Sequence, residues 1–304
     1  MVTQPLKTAA RQLVDPEFFT SLEDLSLIAR TVVDGFLHGL HRSPYVGFSL
    51  EFASHRAYLK GDDLRHLNWK LYGRQDKLYI KQYDAETNLD LHLVIDWSGS
   101  MATDSVGGMT KQRYAGCLAA AVAHLALMQH DAVGLTLFSN VIQEHLSPRA
   151  KSNQLNEILN TLVRVPPRPH GESARILHEV AELMPRRGLV VLMSDLFYEP
   201  DELFSALDHL RFHGHDILIF QILDPLERSL PVGGAIRFRE LETGQDLTTQ
   251  ADEIRPAYQA VIEQWLADLD DGCQRRELDR VLMTTDEPLV GVLHNYLARR
   301  AGHY

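Results

Sequence analysis

The sequence predicts an α/β fold with a doubly wound, mainly parallel sheet. Two observations indicate this class: short apolar runs alternate with amphipathic helical segments through the middle of the chain, and two of these runs end in a carboxylate. Strands that alternate with helices are typical of βαβ units, in which right-handed crossovers join parallel strands. Because the apolar runs are nearly continuous, we expect the sheet to be covered on both faces.

The elements follow one another in a regular order. Apolar spacing predicts strands over residues 89–96, 132–138, 141–146, 188–193, 216–223 and 280–283. It predicts helices over residues 111–129, 152–163, 173–184, 201–213, 251–274 and 288–300. A hairpin that turns at Thr243-Gly244 is expected after residue 235. We therefore divide the chain into an N-terminal helical arm (1–40), a β-rich segment (41–87), an α/β domain (88–223) and a hairpin- and helix-rich C-terminal extension (224–304).

Composition limits the possible functions. The 304 residues are 45% hydrophobic and 23% charged, as in ordinary globular proteins. The formal charge of −11 argues against a dedicated nucleic-acid or anionic-membrane binder. Two isolated cysteines, Cys117 and Cys273, exclude a disulfide scaffold and fit a reducing compartment. The N-terminus lacks the apolar core of a signal peptide, and the longest apolar run, 115–128, is shorter than a membrane span. We expect a soluble, cytoplasmic protein without membrane insertion.

The strongest local signal for chemistry follows the strand 89–96. That strand ends at Asp96, and two hydroxyls come at the second and fourth positions after it, Ser98 and Ser100. In open α/β sheets, ligands bind outside the carboxyl ends of the strands. One carboxylate and two hydroxyls are hard oxygen ligands, which suit Mg²⁺, Mn²⁺ or Ca²⁺. A second buried strand ends at Asp195, so its carboxylate is expected at the same edge. The sequence thus predicts a divalent-cation site that combines these two segments.

These residues resemble two known patterns. Asp96-x-Ser98-x-Ser100 with the later Asp195 looks like the metal-ion-dependent adhesion site of von Willebrand factor A domains. The upstream sequence HRAYLKGDDLRHLNWK (55–70), followed by GRQDKLYIK (73–81), resembles the signature of the DUF58 family, whose bacterial members carry an A-type domain. The resemblance covers residues 45–223. It implies a von Willebrand factor A-like, Rossmann-like fold and a third site element, for which Ser173 is the candidate.

The resemblance also implies a function. It suggests a non-catalytic protein-interaction module that binds a partner through the cation. The usual partner in the family is a MoxR-type AAA+ ATPase. The resemblance implies that the two proteins act together in assembly or in a chaperone-like activity. Two alternatives remain open. Asp96 could be the nucleophile of a haloacid-dehalogenase-like phosphatase, although Ser98 stands where that family has an acidic residue. The protein could also be a metal-free scaffold.

Two further patterns have simpler explanations. Residues 56–81 contain seven basic side chains, which could dock an acidic partner or nucleic acid, but pairing with the acidic body of the protein is the favoured interpretation. His209, His213 and His215 suggest zinc, with two imidazoles four residues apart on a helix. A helix end at Gly214, where histidines complement the helix dipole, explains them more simply.

Overall fold

The chain forms two compact units. Residues 43–88 make up one unit, and residues 1–42 together with 89–304 make up the other. The computed structural model describes residues 25–33, 55–57, 79–81, 90–102, 109–168, 174–239 and 246–291. In the smaller unit, strands β1 (His55–Ala57) and β2 (Tyr79–Lys81) pair antiparallel. The side chains of the basic segment 56–81 lie outside the described residues, so its proposed docking role stays a prediction.

The larger unit is built on a six-stranded sheet. Its strands and those of a separate hairpin are, in chain order, β3 (Asp90–Asp96), β4 (Ala132–Phe138), β5 (Ile142–Arg149), β6 (Gly188–Ser194), β7 (Asp216–Leu223), β8 (Ala235–Arg239), β9 (Asp246–Gln250) and β10 (Asp279–Thr284). The order across the sheet is β10-β7-β6-β3-β4-β5, and every neighbouring pair is parallel except β4 and β5. The predicted α/β class with a mainly parallel sheet is confirmed. β8 and β9 pair antiparallel as the separate hairpin.

Helices connect the strands as the alternation of the sequence predicts. The described helices are α1 (25–33), α2 (Lys111–Met128), α3 (Gln154–Arg164), α4 (Ile176–Glu182), α5 (Pro200–Phe212), α6 (Pro225–Ser229) and α7 (Ala251–Gln274). The hairpin turn predicted at Thr243-Gly244 lies outside the described residues, and so does the predicted last helix beyond residue 291. Within the described parts of the chain, no helix combines the length and apolarity that crossing a membrane requires.

Apolar side chains cover the sheet on both faces. Along β3, Leu93 and Ile95 belong to one core cluster and Val94 belongs to the other, because successive side chains of a strand point to opposite faces. The first cluster takes residues from α1, α2 and α3, and the second from α4, α5 and α7. A central strand buried on both faces favours apolar residues on both, which explains the continuous apolar run 93–95 at the end of β3.

The strand order reverses at β3, and this reversal positions the site. The chain runs from β3 through α2 to β4 on one side, and later from β6 through α5 to β7 on the other. α2 packs on one face of the sheet and α5 packs on the opposite face. The reversal lies between the carboxyl ends of β3 and β6, which is the position where open α/β sheets bind ligands.

The segment that we predicted as a C-terminal extension contributes to the same sheet. β10 pairs in parallel with β7 as an edge strand. Helix α7 adds Leu269 and Cys273 to the second core cluster. Gly272 of α7 lies directly against the ring of Phe204 from α5, because a Cβ atom at position 272 would come within 2.0 Å of the ring Cζ. Contact between α5 and α7 at this point requires a residue without a side chain.

Replacing Gly272 with alanine should destabilise the protein. Alanine in a helix interior is normally favoured over glycine by about 1 kcal/mol. Here the added methyl group overlaps the Phe204 ring, so we expect a net loss of about 1–3 kcal/mol in the free energy of unfolding, measured by chemical denaturation. Gly291→Ala is the matched control, since nothing lies within 4 Å of a Cβ atom there. A Gly272→Ala variant as stable as the control would contradict this packing.

Candidate metal centre

The loop that leaves β3 folds back on the strand end. Asp96 and Ser98 are almost completely buried, and the Ser98 amide donates a hydrogen bond to Asp96 Oδ1 at 3.1 Å. Ser100 then begins a single turn of 3-10 helix, Ser100–Ala102. This local turn brings both hydroxyls of the Asp-x-Ser-x-Ser sequence back towards the strand end.

Trp97 fixes the position of this loop. Its amide donates to the carbonyl of Phe138 at 2.6 Å, and its own carbonyl accepts hydrogen bonds from Gln143 Nε2 at 3.1 Å and from the Arg168 amide at 3.2 Å. The indole Nε1 donates to the carbonyl of Val165 at 2.8 Å. Because the ring is buried and its polar atom is bonded, the loop main chain is held from β4, from β5 and from the segment after α3.

The structure brings together the two segments that the sequence predicted to meet. The hydroxyl oxygens of Ser98 and Ser100 are 3.0 Å apart. Ser100 Oγ in turn donates to Asp195 Oδ2 at 3.0 Å, across the gap between the carboxyl ends of β3 and β6. Four of the five predicted site residues therefore form one hydrogen-bonded chain. The fifth, Ser173, lies outside the described residues.

The second oxygen of Asp96 is bonded within the protein. Asp96 Oδ2 accepts hydrogen bonds from Ser194 Oγ at 2.9 Å and from the hydroxyl of Tyr198. The Ser194 hydroxyl also accepts the Leu196 amide at 3.0 Å, in a tight turn where Leu196 has a φ of 62°. These hydroxyls hold the Asp96 side chain in one orientation, so that Oδ1 is the oxygen on the side of the Ser98 amide.

A buried lysine supplies the positive charge of the cluster. Lys111 begins α2, directly after the N-cap residue Thr110, and none of its side chain is exposed. Its ammonium donates to Asp195 Oδ2 at 2.8 Å and to Glu227 Oε1 at 2.5 Å. The other Glu227 oxygen accepts the Asp224 amide in a capping box at the start of α6. Two helix starts thus place an ammonium and a third carboxylate beside the strand ends.

The cluster formed by Asp96, Asp195, Glu227 and Lys111 contains more negative than positive groups. Burial, and next the charge of Asp195, raise the pKa of Asp96 to about 6. Burial also raises the pKa of Glu227, against the opposing effect of Lys111. Burial alone would lower the pKa of Lys111, but the two carboxylates outweigh it and raise the pKa. With all four groups ionised, the formal charges of Asp96, Asp195, Glu227 (−3) and Lys111 (+1) sum to −2.

The two hydroxyl oxygens have a separation that is compatible with two adjacent ligands of a small hard cation. Oxygen ligands about 2.1 Å from Mg²⁺ in octahedral geometry lie about 3.0 Å apart when they are adjacent. The hydroxyl oxygens of Ser98 and Ser100 have this separation. Asp96 Oδ1 keeps a lone pair beside the hydrogen bond from Ser98. Asp195 is already bonded through Oδ2 to Ser100 and Lys111, and through Oδ1 to the Phe197 amide at 3.3 Å, so it would support an ion through Ser100 or water.

Sequence reasoning missed four members of this cluster: Ser194, Tyr198, Lys111 and Glu227. Ser194 directly precedes Asp195, and its position at a strand end was a usable signal. Lysine at the start of a helix is normally exposed, so nothing in the sequence indicated that Lys111 is buried. Tyr198 and Glu227 are 102 and 116 residues from their partners, which no local pattern indicates.

Comparison with known proteins identifies the family. The sequence matches the family described as "Protein of unknown function DUF58" over residues 54–265. The chain therefore belongs to the DUF58 family, as its upstream motif predicted. It is also 26% identical over 246 residues to uncharacterized proteins of Mycobacterium bovis and Mycobacterium tuberculosis, covering 80% of this chain and 77% of theirs.

Several solved structures are similar at low identity. BatB from Bacteroides thetaiotaomicron is 15% identical with a TM-score of 0.45, over 70% of this chain and 99% of its own. An aerotolerance-related membrane protein from Bacteroides fragilis is 14% identical with a TM-score of 0.46, over 71% and 100%. The VWA domain of SpRpn10 is 12% identical with a TM-score of 0.38, over 67% and 93%.

Replacing Lys111 with methionine should destabilise the protein in a pH-dependent way. In EDTA, Asp195 and Glu227 would stay buried without a cation, which typically costs about 3–5 kcal/mol in the free energy of unfolding. The folded state can relieve this by keeping protons that the unfolded state releases, so stability should fall as the pH rises. We expect a larger loss at pH 8 than at pH 5, measured by chemical denaturation.

The exposed Lys151 provides the control for this experiment. Lys151→Met should change the free energy of unfolding by less than about 0.5 kcal/mol at either pH. If Lys111→Met were as stable as Lys151→Met at pH 8, the ammonium would not balance the buried carboxylates.

Proposed function

We propose that this protein is a non-catalytic protein-interaction module that binds a partner through a divalent cation, Mg²⁺ or alternatively Mn²⁺ or Ca²⁺, at the carboxyl edge of its sheet. One observation carries the proposal: the hydroxyls of Ser98 and Ser100, which follow the buried Asp96, are 3.0 Å apart, and that of Ser100 is bonded to Asp195 of the neighbouring segment. The fold agrees with it, because the carboxyl ends of β3 and β6 lie at the strand-order reversal.

Electrostatics supports a cation at this position. The cluster has an excess formal charge of −2, and the raised pKa of Asp96 arises from burial and from the second carboxylate. A divalent ion beside Asp96 would remove this excess. Lys111 already balances part of the charge of Asp195 and Glu227, so the ion would be held by few free negative charges. Such an ion stays electrophilic and can accept a further carboxylate.

Each residue has a distinct part in this proposal. Asp96, Ser98 and Ser100 hold the ion, and Asp195 orients the Ser100 hydroxyl from the neighbouring strand. Ser173 is the proposed third element, on the basis of the family resemblance alone. A carboxylate of the partner would occupy the open coordination position of the ion. The bound ion would act as the electrophile in that contact.

An exposed aromatic residue beside the site suggests what else the partner contacts. Phe197, two residues after Asp195, is 40% exposed and stacks on Trp265 with ring centroids 4.8 Å apart. The Lys111 ammonium is 5.5 Å from the centre of the same ring. A partner segment with an apolar side chain next to an acidic one would fit this surface. The resemblance to the family suggests a MoxR-type AAA+ ATPase as the partner, in assembly or chaperone-like work.

The phosphatase alternative is less consistent with the geometry. A nucleophilic carboxylate needs one oxygen for phosphorus besides the oxygen that faces the metal ion. Asp96 Oδ2 already accepts hydrogen bonds from Ser194 and Tyr198, so with Oδ1 on the ion neither oxygen is left to attack phosphorus. Position 98, two residues later, has a serine where such an enzyme needs a general acid. A metal-free scaffold remains the second alternative, in which Lys111 would be the resident positive charge.

Calorimetric titration with Mg²⁺ and Mn²⁺ tests the ion. We expect one ion per chain with millimolar or tighter affinity. Ser98→Ala and Ser100→Ala should each weaken binding at least about tenfold, because each removes an oxygen ligand. Ser147→Ala, at an exposed serine of β5, should leave the affinity unchanged.

Two results would contradict the proposed ion site. One is the absence of binding at millimolar concentration, which would favour the metal-free scaffold. The other is full affinity in both serine variants. Release of phosphate from an aryl phosphate in the same Mg²⁺ buffer, stopped by Asp96→Asn, would favour the phosphatase instead.

Affinity capture from the native cell tests the partner. The wild-type chain should retain an AAA+ ATPase in Mg²⁺ and lose it in EDTA. Asp96→Ala should abolish the capture, and Phe197→Ala should reduce it because the apolar contact is lost. Phe212→Ala is the matched control, since Phe212 is 88% exposed at the end of α5. Equal recovery in Mg²⁺ and in EDTA would be incompatible with binding through the ion.

A further inference from the structure

A second group of metal-ligand side chains lies between helices α4 and α5. α4 carries His178 and Glu182, whereas α5 carries His209 and is followed by its C-cap residue, His213. Residues four apart lie on the same face of a helix, so each helix presents a pair. One ligand atom each of Glu182, His209 and His213 lies within 4.8 Å of the others. Among the described residues, no other group of three or more histidine, cysteine or acidic side chains meets this distance limit.

One ligand-atom separation in this group is close to that around a tetrahedral ion, and the others lie within 4.8 Å. Ligand atoms about 2.0–2.1 Å from Zn²⁺ are separated by about 3.4 Å in tetrahedral geometry. His209 Nε2 is 3.6 Å from Glu182 Oε1, and the rings of His209 and His213 have centroids 4.8 Å apart. Two imidazoles and one carboxylate are a common zinc ligand set that leaves the fourth position open. The Glu182 side chain is 67% exposed, so an ion can reach it from solvent.

His178 orients the central ligand. Its Nδ1 is 3.0 Å from Nδ1 of His209. When His209 donates its Nδ1 hydrogen to His178, its Nε2 carries the lone pair and faces Glu182. Histidine ligands of metals usually have their second ring nitrogen bonded in this way, and the bond fixes both the tautomer and the ring orientation.

The structure replaces one member of the zinc group that the sequence suggested. His215 is buried and lies 5.8 Å from the ring of His92, in a T-shaped contact. Glu182 of α4, and not His215, lies next to His209 and His213. A pair of histidines on one helix was visible in the sequence, but the helix packing that adds a carboxylate was not.

We propose that Glu182, His209 and His213 form a Zn²⁺ site that joins α4 to α5, with His178 as the positioning residue. Both helices end shortly before the strands that follow them, β6 and β7, begin. The site is therefore at the amino edge of the sheet, whereas Asp96 and Asp195 are at the carboxyl edge. It uses none of the residues of the proposed adhesion site and does not depend on that proposal.

Competition between the full-length chain and a chromophoric chelator for Zn²⁺ tests this site. The titration is run in millimolar Mg²⁺, which keeps Zn²⁺ from the carboxyl-edge hydroxyls. We expect one Zn²⁺ per chain at micromolar concentration. His209→Asn, His213→Asn and Glu182→Gln should each weaken binding at least about tenfold, and His178→Ala should weaken it less. Because binding only the folded state stabilises it, Zn²⁺ should also raise the Tm of the wild type but not of His209→Asn.

Two controls make the outcome decisive. His130→Asn alters an exposed histidine outside the group, at a positive φ that asparagine tolerates, and should bind Zn²⁺ like the wild type. Asp96→Ala should also keep full Zn²⁺ affinity. The proposal is overturned if the wild type does not bind Zn²⁺ even at a concentration about 100-fold above micromolar. It is equally overturned if both histidine variants bind normally, or if Asp96→Ala abolishes binding.

Discussion

The structure depends on keeping carboxylates buried at one edge of its sheet. Asp96 ends β3 and Asp195 directly follows the neighbouring β6, and the reversal of strand order leaves both at the same edge, with Glu227 close by through Lys111. Such a group is unstable without positive charge, because an unpaired buried carboxylate costs several kcal/mol. Lys111 supplies one charge from the start of α2. The remaining excess of negative charge is the basis for the cation that we propose at this edge.

This arrangement links the fold to the function. The ammonium of Lys111 fixes Asp195, and Asp195 in turn fixes the Ser100 hydroxyl, so a residue of α2 positions a ligand in the loop after β3. In the proposed site, the balance of charges would also limit how tightly an ion is held. A weakly neutralised ion would bind a partner carboxylate well, and the exposed ring of Phe197 offers an apolar contact next to it. Recognition would then require both an acidic and an apolar group on the partner.

The sequence predicted most of the fold and the meeting of Asp96 and Asp195 for one physical reason. Parallel strands share a carboxyl edge, so Asp96 and Asp195 had to meet once both strands belonged to one sheet. The strand ranges 132–138 and 216–223 and the helix 251–274 agree with the structure at both ends. Lys111, Tyr198 and Glu227 could not be predicted, because their roles arise from helix starts and a loop that pack together over long sequence separations. The membership of the proposed zinc site differs from the sequence pattern for the same reason: α4 packs on α5 and contributes Glu182, whereas His215 is buried.

The most direct test of the account is a crystal structure of the protein soaked in Mn²⁺, with anomalous scattering used to locate the ion. The account predicts one strong peak at the carboxyl ends of β3 and β6, about 2.1 Å from the hydroxyl oxygens of both Ser98 and Ser100, with Lys111 still bonded to Asp195. The lack of an anomalous peak there at saturating Mn²⁺, or an ion that takes the place of the Lys111 ammonium beside Asp195, would contradict it.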